Sequence, residues 1–413
     1  MRKQVRIAEC AMGLGLMAVV AVPLAAQDEG GLRLTFGISS RLENVRNPGL
    51  TVPAEPDQTR ASSRLSFGLT DTTRRSAISF SVAGTVAKDN DDDTPDGLVD
   101  PNLNLSLKRI AATSAVELSA FLRENDLDSL RTLILDPDTG DIVGDVTGDG
   151  TQRQKGGTVS FAFGEAGPWG GNLSGSVTET TYTGTTSESD SRRSNLGASL
   201  RFRVDPATEV STGLRWSRYA EAGEAARKTV RSDFSFRRDQ RAGYVLATVF
   251  AEATEDGTRS GLSFERSWEL PDSSLSLSLG VTRGVTGDLT PTGQLDWQKE
   301  LSRGTVSVGL RHDVSAGDDD QETVVTAARF GLSHELTRLS SIEFGLNASG
   351  ADATDTSEAT WNAALSATYS HSLPNEWTLD AGMIHRIRSE DGSGKATSNT
   401  VFLELRRNME WRP

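Results

Sequence analysis

The sequence predicts a transmembrane antiparallel up-and-down β-barrel of about 20 strands, with 18 to 22 allowed by boundary errors of a few residues. Three observations carry this prediction. Twenty segments alternate apolar residues with small or polar ones, the period of two typical of a strand with one apolar face. Their connections alternate between tight turns and longer polar loops. Beyond the N-terminal leader, no apolar stretch approaches the roughly 20 residues of a membrane-spanning helix.

The predicted strands follow one another along the chain, and the pattern is clearest where Leu275, Leu277, Leu279 and Val281 alternate with serine and glycine. The first ten are 32–44, 60–70, 75–87, 102–110, 114–124, 157–165, 171–183, 193–204, 209–219 and 228–238. The second ten are 243–253, 258–270, 273–283, 291–301, 304–315, 322–336, 340–350, 359–373, 377–388 and 397–411. An even number of strands is typical of single-chain barrels.

The connections form two sets. Short ones, several with the Asp, Pro, Gly or Ser that tight turns need, are 71–75, 205–208, 271–273, 302–304, 337–339 and 374–377. Longer ones are 45–59, 88–101, 125–156, 184–192, 220–227, 284–291, 316–321, 352–359 and 389–396. In transmembrane barrels the short turns face the periplasm and the long loops face outward, and we expect the same here.

The N-terminus has the pattern of a secretory signal peptide over Met1–Ala26. Arg2, Lys3 and Arg6 precede an apolar stretch that ends in small residues. We expect export through the Sec pathway, with cleavage near Ala26.

Composition limits what the remaining chain, 27–413, can be. Cys10 is the only cysteine and lies in the leader, so disulfides and thiolate chemistry are excluded from the mature chain. Removing the leader changes the net charge from −14 to −16, which argues against nucleic-acid binding. Hydrophobic residues make up only 36% of the chain, and a single barrel needs apolar residues on one face alone. We therefore expect one barrel domain.

The last predicted strand has the most specific pattern in the chain. Val401, Leu403, Leu405, Met409 and Trp411 alternate with residues that are mostly polar. This alternation resembles the terminal signal that the barrel-assembly machinery reads.

The whole mature chain resembles Gram-negative bacterial outer-membrane β-barrel proteins of the porin-like kind. The resemblance rests on pattern and not on a family motif. Arg407 interrupts the apolar face of the last strand, and Arg412 and Pro413 follow the aromatic residue that normally ends such chains. The resemblance implies a bacterial outer-membrane location, with outer-membrane lipid, lipopolysaccharide and the barrel-assembly machinery as partners.

The inward register of the predicted strands carries charges of both signs. Such charges are expected inside, because an arginine facing lipid at the bilayer midplane costs roughly 2–4 kcal/mol. The candidates for setting solute selectivity are Arg201, Arg203, Arg215, Arg231, Arg237 and Arg311. Two interpretations remain open: the charges hydrate the interior and pair across strands, or arginines form a ladder opposite a carboxylate wall.

Two long loops have spacings similar to calcium-binding loops. The segment 144–151 resembles the first half of an EF-hand loop, although Gly156 stands where the bidentate acid is expected. The segment 92–100 has acids at every fourth position. The candidate calcium ligands are Asp92, Asp96, Asp100, Asp145 and Asp149. Acidic loops are also stable in water without any ligand, so plain solvation is the alternative, and no other cofactor is expected.

These observations rank three functions. The first is a passive or weakly selective channel for small hydrophilic solutes or an exported polymer, because barrels of this size enclose an aqueous space. The second is a structural or surface-interaction barrel whose lumen is blocked, with the loop 125–156 as the candidate for blocking it. An enzyme comes third, since all four histidines fall on the apolar register of their strands. They are His312, His334, His371 and His385.

Overall fold

The computed structural model describes residues 30–413 except for 90–96, 127–131, 136–141, 147–149, 186–188, 317–321, 354–358 and 391–393. The strands of the first half are β1 (Gly31–Arg46), β2 (Gln58–Thr72), β3 (Ser76–Asp89), β4 (Gly97–Ile110), β5 (Ser114–Asp126), β6 (Thr132–Leu135), β7 (Ile142–Val146), β8 (Thr151–Phe163), β9 (Trp169–Thr183), β10 (Ser191–Asp205) and β11 (Thr208–Glu221). The others are β12 (Arg227–Gln240), β13 (Gly243–Ala253), β14 (Thr258–Leu270), β15 (Ser273–Arg283), β16 (Leu289–Leu301), β17 (Gly304–Ala316), β18 (Glu322–Thr337), β19 (Ser340–Ala353), β20 (Ala359–Ser372), β21 (Trp377–Glu390) and β22 (Gly394–Trp411).

Twenty of these strands form one closed sheet. Each pairs antiparallel with the next along the chain, β5 pairing with β8, and β22 returns to pair with β1. The closing ladder runs from Leu34 opposite Trp411 to Arg46 opposite Asn399. The predicted barrel and its 20 strands are therefore confirmed.

The size of the ring follows from the strand register. A path that steps from each residue to its paired neighbour, strand by strand around the ring, leaves β1 at Gly37 and returns to β1 about 24 residues further along the chain. This stagger corresponds to a strand tilt of about 40° from the barrel axis. Twenty strands about 4.8 Å apart at this tilt give a circular ring roughly 40 Å across at the backbone. Side chains alone do not fill such an interior, since barrels of about 16 strands already enclose water.

Several strands are longer than the sequence predicts, mainly toward the long loops. β8 begins at Thr151, whereas the alternation predicts a start at residue 157, and β4 begins at Gly97 instead of 102. The first residues of β8 are polar on both faces, which makes them resemble loop in the sequence although they continue the strand. The predicted loop 125–156 also holds a two-stranded hairpin of its own, β6 with β7.

The two ends of the barrel differ. We call the end that holds connections such as Asp205–Thr208 and Leu301–Gly304 the short-turn end. The opposite end, which holds 47–57 and 222–226, is called the long-loop end. Within the described residues, the only helix is one turn over Pro374–Glu376, and none is long and apolar enough to cross a membrane.

Candidate functional site

The barrel interior is the candidate site, and the strand register decides which side chains face it. On β1, Phe36 and Leu42 are about half-exposed on one register, whereas Arg41 and Glu43 on the other register form an ion pair of 2.8 Å. Paired residues on neighbouring strands share a face, so the ladders extend this assignment around the whole ring. The apolar register faces outward and the charged register faces the lumen.

Arg215 and Arg231 lie side by side on the lumen wall. They are directly opposite each other on β11 and β12, which places their Cβ atoms about 5 Å apart. The guanidinium of Arg231 also lies over the ring of Phe250 at 4.0 Å and pairs with Glu252 at 3.6 Å. Among the six candidate arginines, these two are the pair that neighbouring strands place directly opposite each other, as an arginine ladder requires.

Arg201 and Arg203 face the same lumen but lie nearer the short-turn end. Arg201 is opposite Ser211 and Arg203 is opposite Glu209, whereas Arg215 is opposite Gly197. The guanidinium of Arg201 donates to the backbone carbonyls of Gly164 and Glu165 at 3.1 and 3.0 Å. Arg201 is therefore held by the β8–β9 turn and does not extend the pair formed by Arg215 and Arg231.

Arg237 and Arg311 also face the lumen, each beside a carboxylate of its own strand. Arg237 pairs with Asp239 at 2.9 Å and lies over the ring of Tyr244 at 3.8 Å. Arg311 pairs with Asp313 at 3.1 Å. The lumen arginines are thus accompanied by carboxylates at short range, as expected for a hydrated wall whose charges pair locally.

Another group of lumen charges lies where β1 and β22 close the sheet. Arg41 on β1 donates to Glu43, lies 3.7 Å from Glu404 on β22 and stacks over the ring of Phe402 at 3.9 Å. An inward-facing aromatic ring with a guanidinium on its face gains a cation–π contact. The same arrangement recurs at Phe250 and Tyr244, on the far side of the ring.

The most buried charges of the described wall are Glu252 on β13 and Arg259 on β14, each only 6% exposed. Their side chains form an ion pair, and the carboxylate of Glu252 also reaches Arg231. Glu322 lies 4.0 Å from Nε of Arg259 and accepts a hydrogen bond from the backbone of Val285 at 2.9 Å. This cluster ties four strands and the β15–β16 connection together near the long-loop end.

The sequence analysis did not single out Glu252 and Arg259, although both lie inside predicted strands, 243–253 and 258–270. A signal was nevertheless available. Both residues continue the inward register of their strands, since Glu252 follows Phe250 by two residues and Arg259 precedes Gly261 by two.

Most of the candidate calcium ligands lie outside what the structure describes. Asp92, Asp96 and Asp149 fall in undescribed residues, and Asp145 lies in β7, for which only the backbone is described. Asp100 is in β4 with a φ of 51°. Among the described residues, no three His, Asp or Glu side chains are placed to hold a metal ion.

The last strand places its apolar register on the outer face. Val401, Leu403 and Trp411 are among the exposed large hydrophobic residues there, together with Leu405 and Met409. Arg407, which interrupts this register, lies 5.9 Å from the ring of Trp377 on β21. A strip of apolar side chains is thus presented along the strand that closes the ring, and its role in assembly remains a prediction.

The four histidines lie on the outward register. His312 makes a hydrogen bond of 2.9 Å with the hydroxyl of Thr326, and His385 one of 2.7 Å with the amide oxygen of Asn399. Neither points toward the charged lumen wall.

No protein-family model matches the sequence, and no curated protein sequence matches it either. Solved structures do match. The siderophore receptor PirA from Pseudomonas aeruginosa aligns over 93% of this chain and 81% of its own, with a TM-score of 0.50 and 9% identity. A mutant of the ferric enterobactin receptor PfeA from the same organism, in complex with enterobactin, aligns over 93% and 82% with a TM-score of 0.52 and 9% identity. The outer membrane protein OpdK, also from Pseudomonas aeruginosa, aligns over 92% and 99% with a TM-score of 0.43 and 10% identity.

Identities this low show a shared fold and nothing finer. The chain therefore shares its closed antiparallel barrel fold with the siderophore receptor PirA and the ferric enterobactin receptor PfeA.

Proposed function

We propose that the chain is a bacterial outer-membrane channel for small hydrophilic solutes, with weak charge selectivity. The observation that carries the proposal is a closed ring of 20 strands whose inner register is charged and whose outer register is apolar. An apolar outer face suits lipid, and a charged inner face suits water. The long-loop end then faces outward and the short-turn end faces the periplasm.

The pairing of lumen arginines with carboxylates supports a channel that discriminates only weakly between anions and cations. Where carboxylates lie within 4 Å of arginines, as at Arg237 and Arg311, the fields of the two groups largely cancel beyond the pair. The neighbouring residues Arg215 and Arg231 place two guanidinium groups side by side on the lumen wall, with Glu252 beside Arg231. We expect a slight preference for anions at low salt.

Transport is favoured over catalysis in this proposal, because the four histidines face outward and the lumen carboxylates Glu252, Asp239 and Asp313 lie beside arginines. The test is conductance of the purified barrel in a planar lipid bilayer. Stepwise single-channel currents support the proposal. A folded barrel that inserts and never conducts, even without its hairpin β6–β7, refutes it.

The second candidate is a barrel whose lumen is blocked, and one observation favours it. β7 lies within 8 Å of β19, measured between Cα atoms, although β19 is on the far side of the ring from β5 and β8. A hairpin that reaches across the ring narrows the passage. If deletion of residues 132–146 raises the conductance of a silent or weakly conducting barrel, this hairpin is the element that restricts flow.

A further inference from the structure

The outer face of the barrel carries a group of basic side chains at its long-loop margin, which we call the outer basic patch. Its members lie on β8, β10, β11 and β12, and all are exposed. They are Arg153, Lys155, Arg192, Arg218 and Lys228. All five share the outward register of their strands, which further along presents apolar residues such as Leu196, Leu214 and Val230.

Three members of the patch lie close together without matching acids. Arg218 and Lys228 are directly opposite each other in the β11–β12 ladder, and Arg192 is diagonal to Arg218 across the β10–β11 ladder. Directly opposite residues have Cβ atoms about 5 Å apart, and diagonal ones about 7–8 Å. No carboxylate of the described residues forms an ion pair with Arg192, Arg218 or Lys228.

The nearby acids are already engaged on the β8 side of the patch. Glu179 lies opposite Arg192 in the β9–β10 ladder, but its carboxylate binds Lys155 at 2.9 Å. Glu124 lies 4.0 Å from Arg153. Lys155 and Arg153 therefore have carboxylate partners, whereas the other three basic groups form no ion pair among the described residues, in a chain whose total charge is strongly negative.

Like charges placed directly opposite each other destabilise a sheet unless something neutralises them. Arg218 and Lys228 have this arrangement at the edge of an apolar surface, where water is less able to screen them. An anion that bridges the two strands would turn the repulsion into attraction. Guanidinium groups bind phosphate oxygens in pairs, and a lysine adds a compact positive charge.

We propose that Arg192, Arg218 and Lys228 bind the phosphate groups of an anionic glycolipid headgroup in the outer leaflet, with lipid A as the chemical type. The inference rests on the membrane orientation proposed above, which places the long-loop margin at the headgroups of the outer leaflet. It does not depend on conductance, so a barrel that fails to conduct leaves it standing.

The test compares the purified barrel in detergent with and without added lipid. Bis-phosphorylated lipid A should raise the thermal midpoint of unfolding, read from the heat-dependent shift in gel mobility, whereas dephosphorylated lipid A should raise it far less. The triple variant Arg192→Gln, Arg218→Gln, Lys228→Gln should lose most of this shift. A matched control removes three outward-register basic residues of the short-turn end, by Arg109→Gln, Arg238→Gln and Lys299→Gln, and should keep it.

Three results overturn the proposal: no shift in the unsubstituted protein, an undiminished shift in the triple variant, or an equal shift with phosphatidylglycerol. The last result would identify any phospholipid phosphate as sufficient.

A single change guards against a triple variant that does not fold. Lys228→Glu places a carboxylate opposite Arg218, so it should raise the thermal midpoint without lipid and lower the gain from lipid A. If Lys228→Glu lowers the midpoint without lipid and keeps the full gain, the repulsion on which the inference depends is absent.

Discussion

Loss of the Glu252 carboxylate should be the most damaging single charge change among the lumen residues described. Glu252→Gln keeps the side-chain volume but leaves Arg259, which is 6% exposed, with only Glu322 at 4.0 Å. An ion pair at 4 Å contributes about 4 kcal/mol at an effective dielectric constant of 20, before desolvation is counted. Breaking a buried pair by removing one partner costs about 3–5 kcal/mol, because the other charge stays buried.

We expect a loss near the lower end of that range, about 3 kcal/mol, because the lumen lets water reach Arg231, the second partner of Glu252. The measurement is the free energy of unfolding in detergent micelles, from a urea titration followed by tryptophan fluorescence. Asp239→Asn is the matched control, since its pair with Arg237 is exposed on both sides and should contribute at most about 1 kcal/mol.

The reasoning also predicts a rescue. Glu252→Met combined with Arg259→Met removes both buried charges and should recover most of the lost stability, because apolar replacements for buried ion pairs are often neutral. If Glu252→Gln costs no more than Asp239→Asn, or if the double variant is worse than Glu252→Gln, then the pair is hydrated and the burial argument is wrong.

Three further predictions concern selectivity, calcium and assembly. Arg215→Gln with Arg231→Gln should shift the reversal potential toward cations, whereas Arg201→Gln, at the short-turn end, should shift it less; equal shifts would contradict the placement of these residues. Millimolar calcium should protect the acidic segment 144–151 from proteolysis, and replacing its aspartates by alanine should abolish that protection. If calcium does not change the rate of cleavage, the acidic loop is solvated without a bound metal ion. Trp411→Ser should lower the yield of folded barrel in the outer membrane without lowering the amount exported, as judged from heat-modifiable mobility in cell fractions.

The fold could be predicted from the sequence because the environment of a membrane barrel repeats. Each strand has one apolar outward face, so residues such as Leu277 and Leu279 alternate with small polar ones along its whole length, and the count of such segments gives the strand number. The closing ladder then follows from the even count. Strand ends were less predictable, since beyond the apolar band both faces of a strand are polar, as at Arg153 in β8.

The lumen could be predicted only in part. Alternation identifies which arginines face inward, but not their height relative to each other, because height depends on the stagger between strands. Arg201 and Arg215 are on neighbouring strands and both face inward, yet only Arg215 lies beside Arg231. The pair of Glu252 and Arg259 is of another kind, because the two residues lie directly opposite each other in consecutive strands joined by 254–257. The hairpin alone brings them together, and only their burial depends on the folded ring.

The ladder between β1 and β22 has a consequence for how the molecule is made. Until β22 arrives, β1 and β21 each present an edge of unpaired backbone amides and carbonyls, which hydrocarbon cannot satisfy. The two partners of the closing ladder are the first and last strands, so the decisive contact has nearly the largest sequence separation the barrel allows, and chain closure of that kind is slow. In the membrane location proposed above, the ring must therefore close before or while it inserts, and closure requires the complete polypeptide. Until the ring closes, its open strand edges can pair with other chains, so the unclosed chain needs protection from aggregation.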